Sequence, residues 1–125
     1  MSINDLGLVP SHLAAASLTD RELVLPYRDA LQAIDHLVAG GHAVFCWEGW
    51  LRYPDGSHGH SARHQGMMEI TRGPDEGFAA FARRAAEAVR STLTKSQEEW
   101  NKNPEVPNAT LYFCLSVERS AKSRG

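Results

Sequence analysis

The sequence predicts an α+β fold, an antiparallel or mixed sheet of about four strands with two main helices packed on one face. Three observations predict it. Two segments repeat apolar residues at helical spacing, the last apolar segment alternates strictly, and an aromatic-rich run ends in a Pro-Asp-Gly turn. A chain of 125 residues suits one domain, 1–125, able to bury a core without staples.

Residues 1–17 are small and weakly patterned, so a loosely ordered arm with at most a short helix is expected there. A helix is predicted to begin near Pro26, a residue suited to the first turn. Tyr27, Ala30, Leu31, Ile34, Leu37 and Val38 form its apolar face, and Gly40-Gly41 provides the left-handed stop. HAVFCWEGWLRY reads as a strand because β-branched and aromatic residues dominate it. Gly66–Arg72 is expected to be a further strand, with Met68 and Ile70 alternating against Glu69 and Thr71. Gly73-Pro74-Asp75 then opens a long helix with Phe78, Phe81, Ala82, Ala85, Val89, Leu93 and Trp100 on one stripe, ended by Asn103-Pro104. Ala109–Glu118 reads as the last strand, with Leu111, Phe113, Leu115 and Val117 on one face. The basic tail, 119–125, is expected to be flexible.

Tyr53-Pro54-Asp55-Gly56 has the chemistry of a three-residue hairpin loop with a glycine bulge. Pairing Tyr53 with Ser57 sets Arg52 opposite His58, Leu51 opposite Gly59 and Trp50 opposite His60. Phe45, Trp47, Leu51 and Tyr53 then share the core face, while Glu48, Trp50 and Arg52 share the other. A bulge at Gly49 would instead bring both tryptophans to one side.

Composition narrows the function. A net charge of −2 and a pI near 6.3 supply no basic field to collect phosphates, so nucleic acid is not an expected partner. No run reaches transmembrane length and the start lacks a signal-peptide pattern, so a cytoplasmic protein with no membrane partner is expected. Cys46 and Cys114 lie inside strand-like runs, where buried free thiols are the simplest reading. No cofactor motif occurs, and no cofactor is expected.

The polar face of the hairpin is the constellation with chemical potential. His58, His60 and His64 are candidate metal ligands in H-x-H-x3-H, although exposed histidines in a Gly/Ser-rich segment are the simpler account. Glu48 beside His60 could serve as a general base, but neither a nucleophile elbow nor a phosphate loop accompanies it. An exposed Trp50 flanked by Glu48, Arg52 and His60 matches the residue mix that anchors protein interfaces. The alternative is that Trp50 is covered by the N-terminal arm or a helix.

The run LPYRDALQAIDHLVAGGHAVFCWEGWLRYPDGSHGHSARHQG, with the long helix and ATLYFCLSV after it, resembles a family of small bacterial immunity proteins. Such proteins are encoded beside polymorphic or contact-dependent toxins. The likeness covers about Leu25 to Val117 and is carried by WEGW (Trp47–Trp50), YPDG (Tyr53–Gly56), GHS (Gly59–Ser61), HQG (His64–Gly66) and LYFC (Leu111–Cys114). It implies a cytoplasmic α+β protein that binds and neutralises a cognate toxin domain, and it carries over no catalytic role. The net charge departs from the strongly acidic immunity proteins that mimic nucleic acid.

The expectation is therefore a non-enzymatic toxin inhibitor whose protein partner is the cognate toxin C-terminal domain. Its partner-binding surface is read as Glu48, Trp50, Arg52, Tyr53, Asp55, His58, His60, His64 and Gln65. The alternatives are a small metal-dependent or Glu/His-assisted enzyme using Glu48, His58, His60 and His64, or a generic interaction module.

Overall fold

The computed structural model of the protein describes residues 5–66 and 70–119. Along the chain come a short 3-10 turn (Asp5–Leu8), α1 (Ser11–Ala16), β1 (Val24–Pro26), α2 (Tyr27–Ala39), β2 (Ala43–Arg52), β3 (His58–Gln65), α3 (Phe78–Lys102) and β4 (Thr110–Glu118). The four strands form one antiparallel sheet in the order β1-β4-β2-β3. This is the expected α+β class, with the sheet antiparallel throughout. No helix among the described residues is long and apolar enough to cross a membrane.

α2 and α3 form where the apolar spacing places them. Gly41, just past α2, has φ 88°, a left-handed conformation that glycine adopts without a Cβ clash. Ala30, Ala33, Ile34 and Leu37 of α2 meet Ala86, Val89, Leu93 and Trp100 of α3 over Trp47, Leu51, Leu111, Phe113 and Leu115 of the sheet. Trp47 packs edge-on to Phe113 with ring centroids 5.1 Å apart. Such a contact adds about 0.5–1.5 kcal/mol beyond the area it buries. The Trp47 indole N–H donates to Thr92 Oγ1 at 2.9 Å, so its polar atom enters the core satisfied.

Three expectations need correction. The N-terminal arm is packed rather than loose in its described part: Leu13 is fully buried, and Leu6, Leu8 and Val9 lie against the core. A strand precedes α2, because Val24–Pro26 pairs with β4. Three residues are too few to show an alternation. The further strand expected at Gly66–Arg72 falls partly outside the described residues, at 67–69; Gly66 and 70–72 are irregular, and it is the hairpin's return strand that extends, over His58–Gln65.

The hairpin register is as read from the turn, with Arg52 opposite His58, Leu51 opposite Gly59 and Trp50 opposite His60. Tyr53 N–H donates to the Ser57 carbonyl at 2.8 Å, and Gly56 has φ 90°. The pairing then shifts, because Glu48 is opposite Gln65 while Trp50 is opposite His60. The extra residues, 61–64, belong to β3, and β2 keeps step with β4 from Cys46 to Arg52. Trp47 and Trp50 therefore stay on opposite faces. Gly49 makes the irregularity possible: a Cβ there would lie 2.1 Å from the His64 carbonyl oxygen.

Candidate functional site

The face opposite the long helices is organised by strand register into cross-strand rows. One row runs Pro26–Tyr112–Trp50–His60 across all four strands, and the next runs Thr110–Arg52–His58. Trp50, Val24 and Cys114 form a small apolar cluster there with Leu18 and Tyr112, and no residue of α2 or α3 joins it. Strand alternation alone dictates this face, since side chains two apart on a strand project the same way.

Glu48, Trp50 and His60 are joined through one atom. Glu48 Oε1 accepts from His60 Nδ1 at 2.8 Å and from the Trp50 indole N–H at 2.9 Å. An ionised carboxylate only accepts, so Nδ1 carries the proton and Nε2 keeps its lone pair when the ring is neutral. The His60 side chain is 63% exposed and that of Glu48 45%. The His58 and His60 rings lie 5.3 and 4.7 Å from the Trp50 ring, centroid to centroid.

These two imidazoles, with Leu18 and Tyr112, correct the expectation of an exposed Trp50, which is 6% exposed. The solvent-facing groups are instead Arg52, His58 and His60, lying over and beside the indole. The sequence-predicted surface thus divides. Glu48, Trp50, Arg52, His58 and His60 come together on this face. Tyr53 is half-buried on the core side, as its place in the alternation required. Asp55 remains at the exposed turn, where its Oδ1 accepts from Ser57 Oγ and Ser57 N–H, bonds that hold its carboxyl below the usual range.

His64 and Gln65 leave the surface. His64 is 1% exposed and sits edge-on to Trp100 of α3, so it does not join His58 and His60. Its Nε2 is buried without a hydrogen-bond partner among the described residues. Burial pushes the His64 imidazole below its ordinary pKa, opposed in part by the charge of Glu105. Gln65 is half-buried, and its amide donates to the Ser61 and Gly49 carbonyls. Among the described residues, no group of three or more His, Cys, Asp or Glu side chains could hold a metal ion.

Glu105, in the segment after α3, was not anticipated. Its carboxylate accepts from Ser61 Oγ (2.6 Å), Ala62 N–H (3.0 Å) and Arg63 N–H (3.4 Å), clamping the irregular part of β3. Burial raises its pKa, but these hydrogen bonds outweigh that and hold the carboxyl below its usual value. Tyr112 and Thr110 were also missed as members of the polar face. Their alternation with Leu111 and Phe113 places them opposite the core, but only the strand order brings them beside Trp50 and Arg52.

Neither cysteine is poised for chemistry. Cys114 is buried beside Glu22, and burial pushes its thiol far above the usual range. Cys46 Sγ donates to the Gly66 carbonyl. A groove of about 710 Å³ opens between the start of α2, the second half of α3 and the start of β4, and Pro26 and Thr110 line both it and the polar face. The chain matches no protein-family model, no curated protein and no solved structure.

Proposed function

We propose that the protein is an immunity-type inhibitor, which binds and neutralises a cognate bacterial toxin domain in the cytoplasm without catalysis of its own. The observation that carries the proposal is the Pro26–Tyr112–Trp50–His60 row on a sheet face that neither long helix covers. Trp50 acts as a rigid base, and Arg52, His58 and His60 are the groups offered to the partner. Trp, Tyr and Arg, here Trp50, Tyr112 and Arg52, are residue types that anchor interfaces. The resemblance of WEGW, YPDG and HQG to small immunity proteins supports the same reading.

The test is co-expression with the toxin domain encoded beside this gene. Growth rescue and a complex that co-purifies are expected. Arg52→Glu combined with His58→Glu should abolish both while leaving the unfolding midpoint within a few degrees of the parent. Absence of rescue and complex with the folded parent chain overturns the proposal. One observation favours a second reading, hydrolysis with His60 as general base, because Glu48 holds the imidazole at 2.8 Å as a catalytic carboxylate would. That reading requires turnover by the chain alone, abolished by His60→Gln.

A further inference from the structure

We infer that His60 Nε2 is a preoriented ligand for a transition-metal ion held in the active site of the partner protein. The inference rests on the inhibitor reading and names the partner class: a metal-dependent enzyme whose open coordination position the imidazole fills.

Three features of the site lead there. First, the tautomer is set, since Glu48 Oε1 accepts a hydrogen bond from Nδ1–H at 2.8 Å and leaves the Nε2 lone pair facing outward. A carboxylate behind the far nitrogen is the arrangement that orients metal-ligating histidines and raises their basicity. Second, the carboxylate is itself held, because the Trp50 indole N–H donates to the same oxygen at 2.9 Å and the indole is 6% exposed. The His60 ring also rests on that indole, with centroids 4.7 Å apart. Two contacts thus fix an imidazole whose side chain is 63% exposed, so little ordering entropy remains to be lost on binding.

Third, the ligand set is incomplete on this chain. His64 is buried against Trp100, which leaves His58 as the one other histidine of the motif on this face, and the described residues hold no group of three ligands. One or two imidazoles bind a metal firmly only when further ligands are supplied from elsewhere. A catalytic metal site has three protein ligands and an open fourth position, which is the complement required. Neutral imidazole suits zinc, nickel or copper rather than magnesium or calcium. His58 provides an internal comparison, for it stacks on the same indole with no carboxylate bonded to its ring among the described residues.

The test has two arms. In the first, the full chain is titrated with copper(II)–iminodiacetate, a chelate with open positions, and paramagnetic broadening of each imidazole is followed by NMR. The broadening should set in at the same probe concentration in the parent and in His58→Gln. His60→Gln should remove that event, and Glu48→Gln should weaken it about tenfold. An equal loss of the broadening in His58→Gln and His60→Gln, or indifference to Glu48→Gln, overturns the inference. In the second arm the toxin domain from the neighbouring gene is titrated with the chain. Removing the toxin's metal with a chelator, or replacing His60 by Gln, should weaken the complex at least tenfold. A tight complex indifferent to both overturns the metal inference and leaves the inhibitor reading standing. No complex under any condition overturns both.

Discussion

Gly49 and His64 meet at the point where β3 departs from regular pairing, and each yields a direct test. A methyl group at Gly49 would lie 2.1 Å from the His64 carbonyl oxygen, and the obstacle is backbone rather than a yielding side chain. Gly49→Ala is expected to destabilise the fold by about 1–3 kcal/mol, the usual range for overpacking, read as a lower denaturant midpoint at unchanged slope. His64 is held neutral by burial, with its pKa lowered. In the unfolded chain it titrates near its ordinary value of about 6.5. Below that pH the unfolded state takes up a proton that the native state refuses, so stability is complete above about pH 6.5 and declines as the pH falls toward the native value. His64→Gln should flatten this acid-side decline in unfolding midpoints measured between pH 7.5 and 5.5. Alternation of residue types was enough to separate Trp47 from Trp50. It was not enough to show that Trp50 is roofed by imidazoles, because that depends on neighbours contributed by other strands.

Among the elements, β3 was the one whose extent the sequence obscured. HGHSARHQ carries almost no β-branched or aromatic residue, and its pairing is maintained from outside, by the Pro-Asp-Gly turn at one end and by Glu105 at the other. The apolar alternation of Gly66–Arg72 looked more strand-like, yet its described residues lie outside the sheet. Glu105→Ala would leave the Ala62 and Arg63 amides and the Ser61 hydroxyl without their acceptor. The expected cost is about 1–3 kcal/mol. Amide exchange should accelerate at Ala62 and Arg63 while the β2–β4 ladder stays protected. Glu105 has a lowered native pKa, so the stability it contributes is present above its ordinary value of about 4.5 and is lost as the pH falls below that. α3 begins after a similar clamp: Glu76, brought to a pKa of about 2 first by its hydrogen bonds with Arg84, also accepts from Gly73 N–H.

At the scale of the whole molecule, the last strand is not the last in space. β4 lies between β1 and β2, and Leu111, Phe113 and Leu115 sit in the main core. A chain ended after Val106 is therefore expected to lose cooperative unfolding altogether, since β1 would have no strand to pair with and Trp47 no Phe113 to pack against. Both long helices and β4 were legible because each repeats its apolar residues at its own period, and β2 because β-branched and aromatic residues dominate it. Strand order was not, because residue period says which face a side chain joins and nothing about which strand lies beside it. The candidate surface suffered for that reason: Glu48, Trp50, Arg52, His58 and His60 were found from one hairpin, while Tyr112 and Thr110 had to wait for β4 to be placed.

The Glu105 clamp has a consequence beyond the strength of its bonds. β3 is the outermost strand on its side of the sheet, and such a margin presents backbone donors on which a strand from another molecule can assemble. At Ala62 and Arg63 the carboxylate already occupies the donors that an incoming strand would need. Glu105 thus behaves as a one-residue surrogate for a fifth strand, and it brings a negative charge that an approaching backbone carbonyl meets unfavourably. At these two residues the rim of the sheet is closed to strand addition, while the face carrying Trp50 is untouched by the clamp.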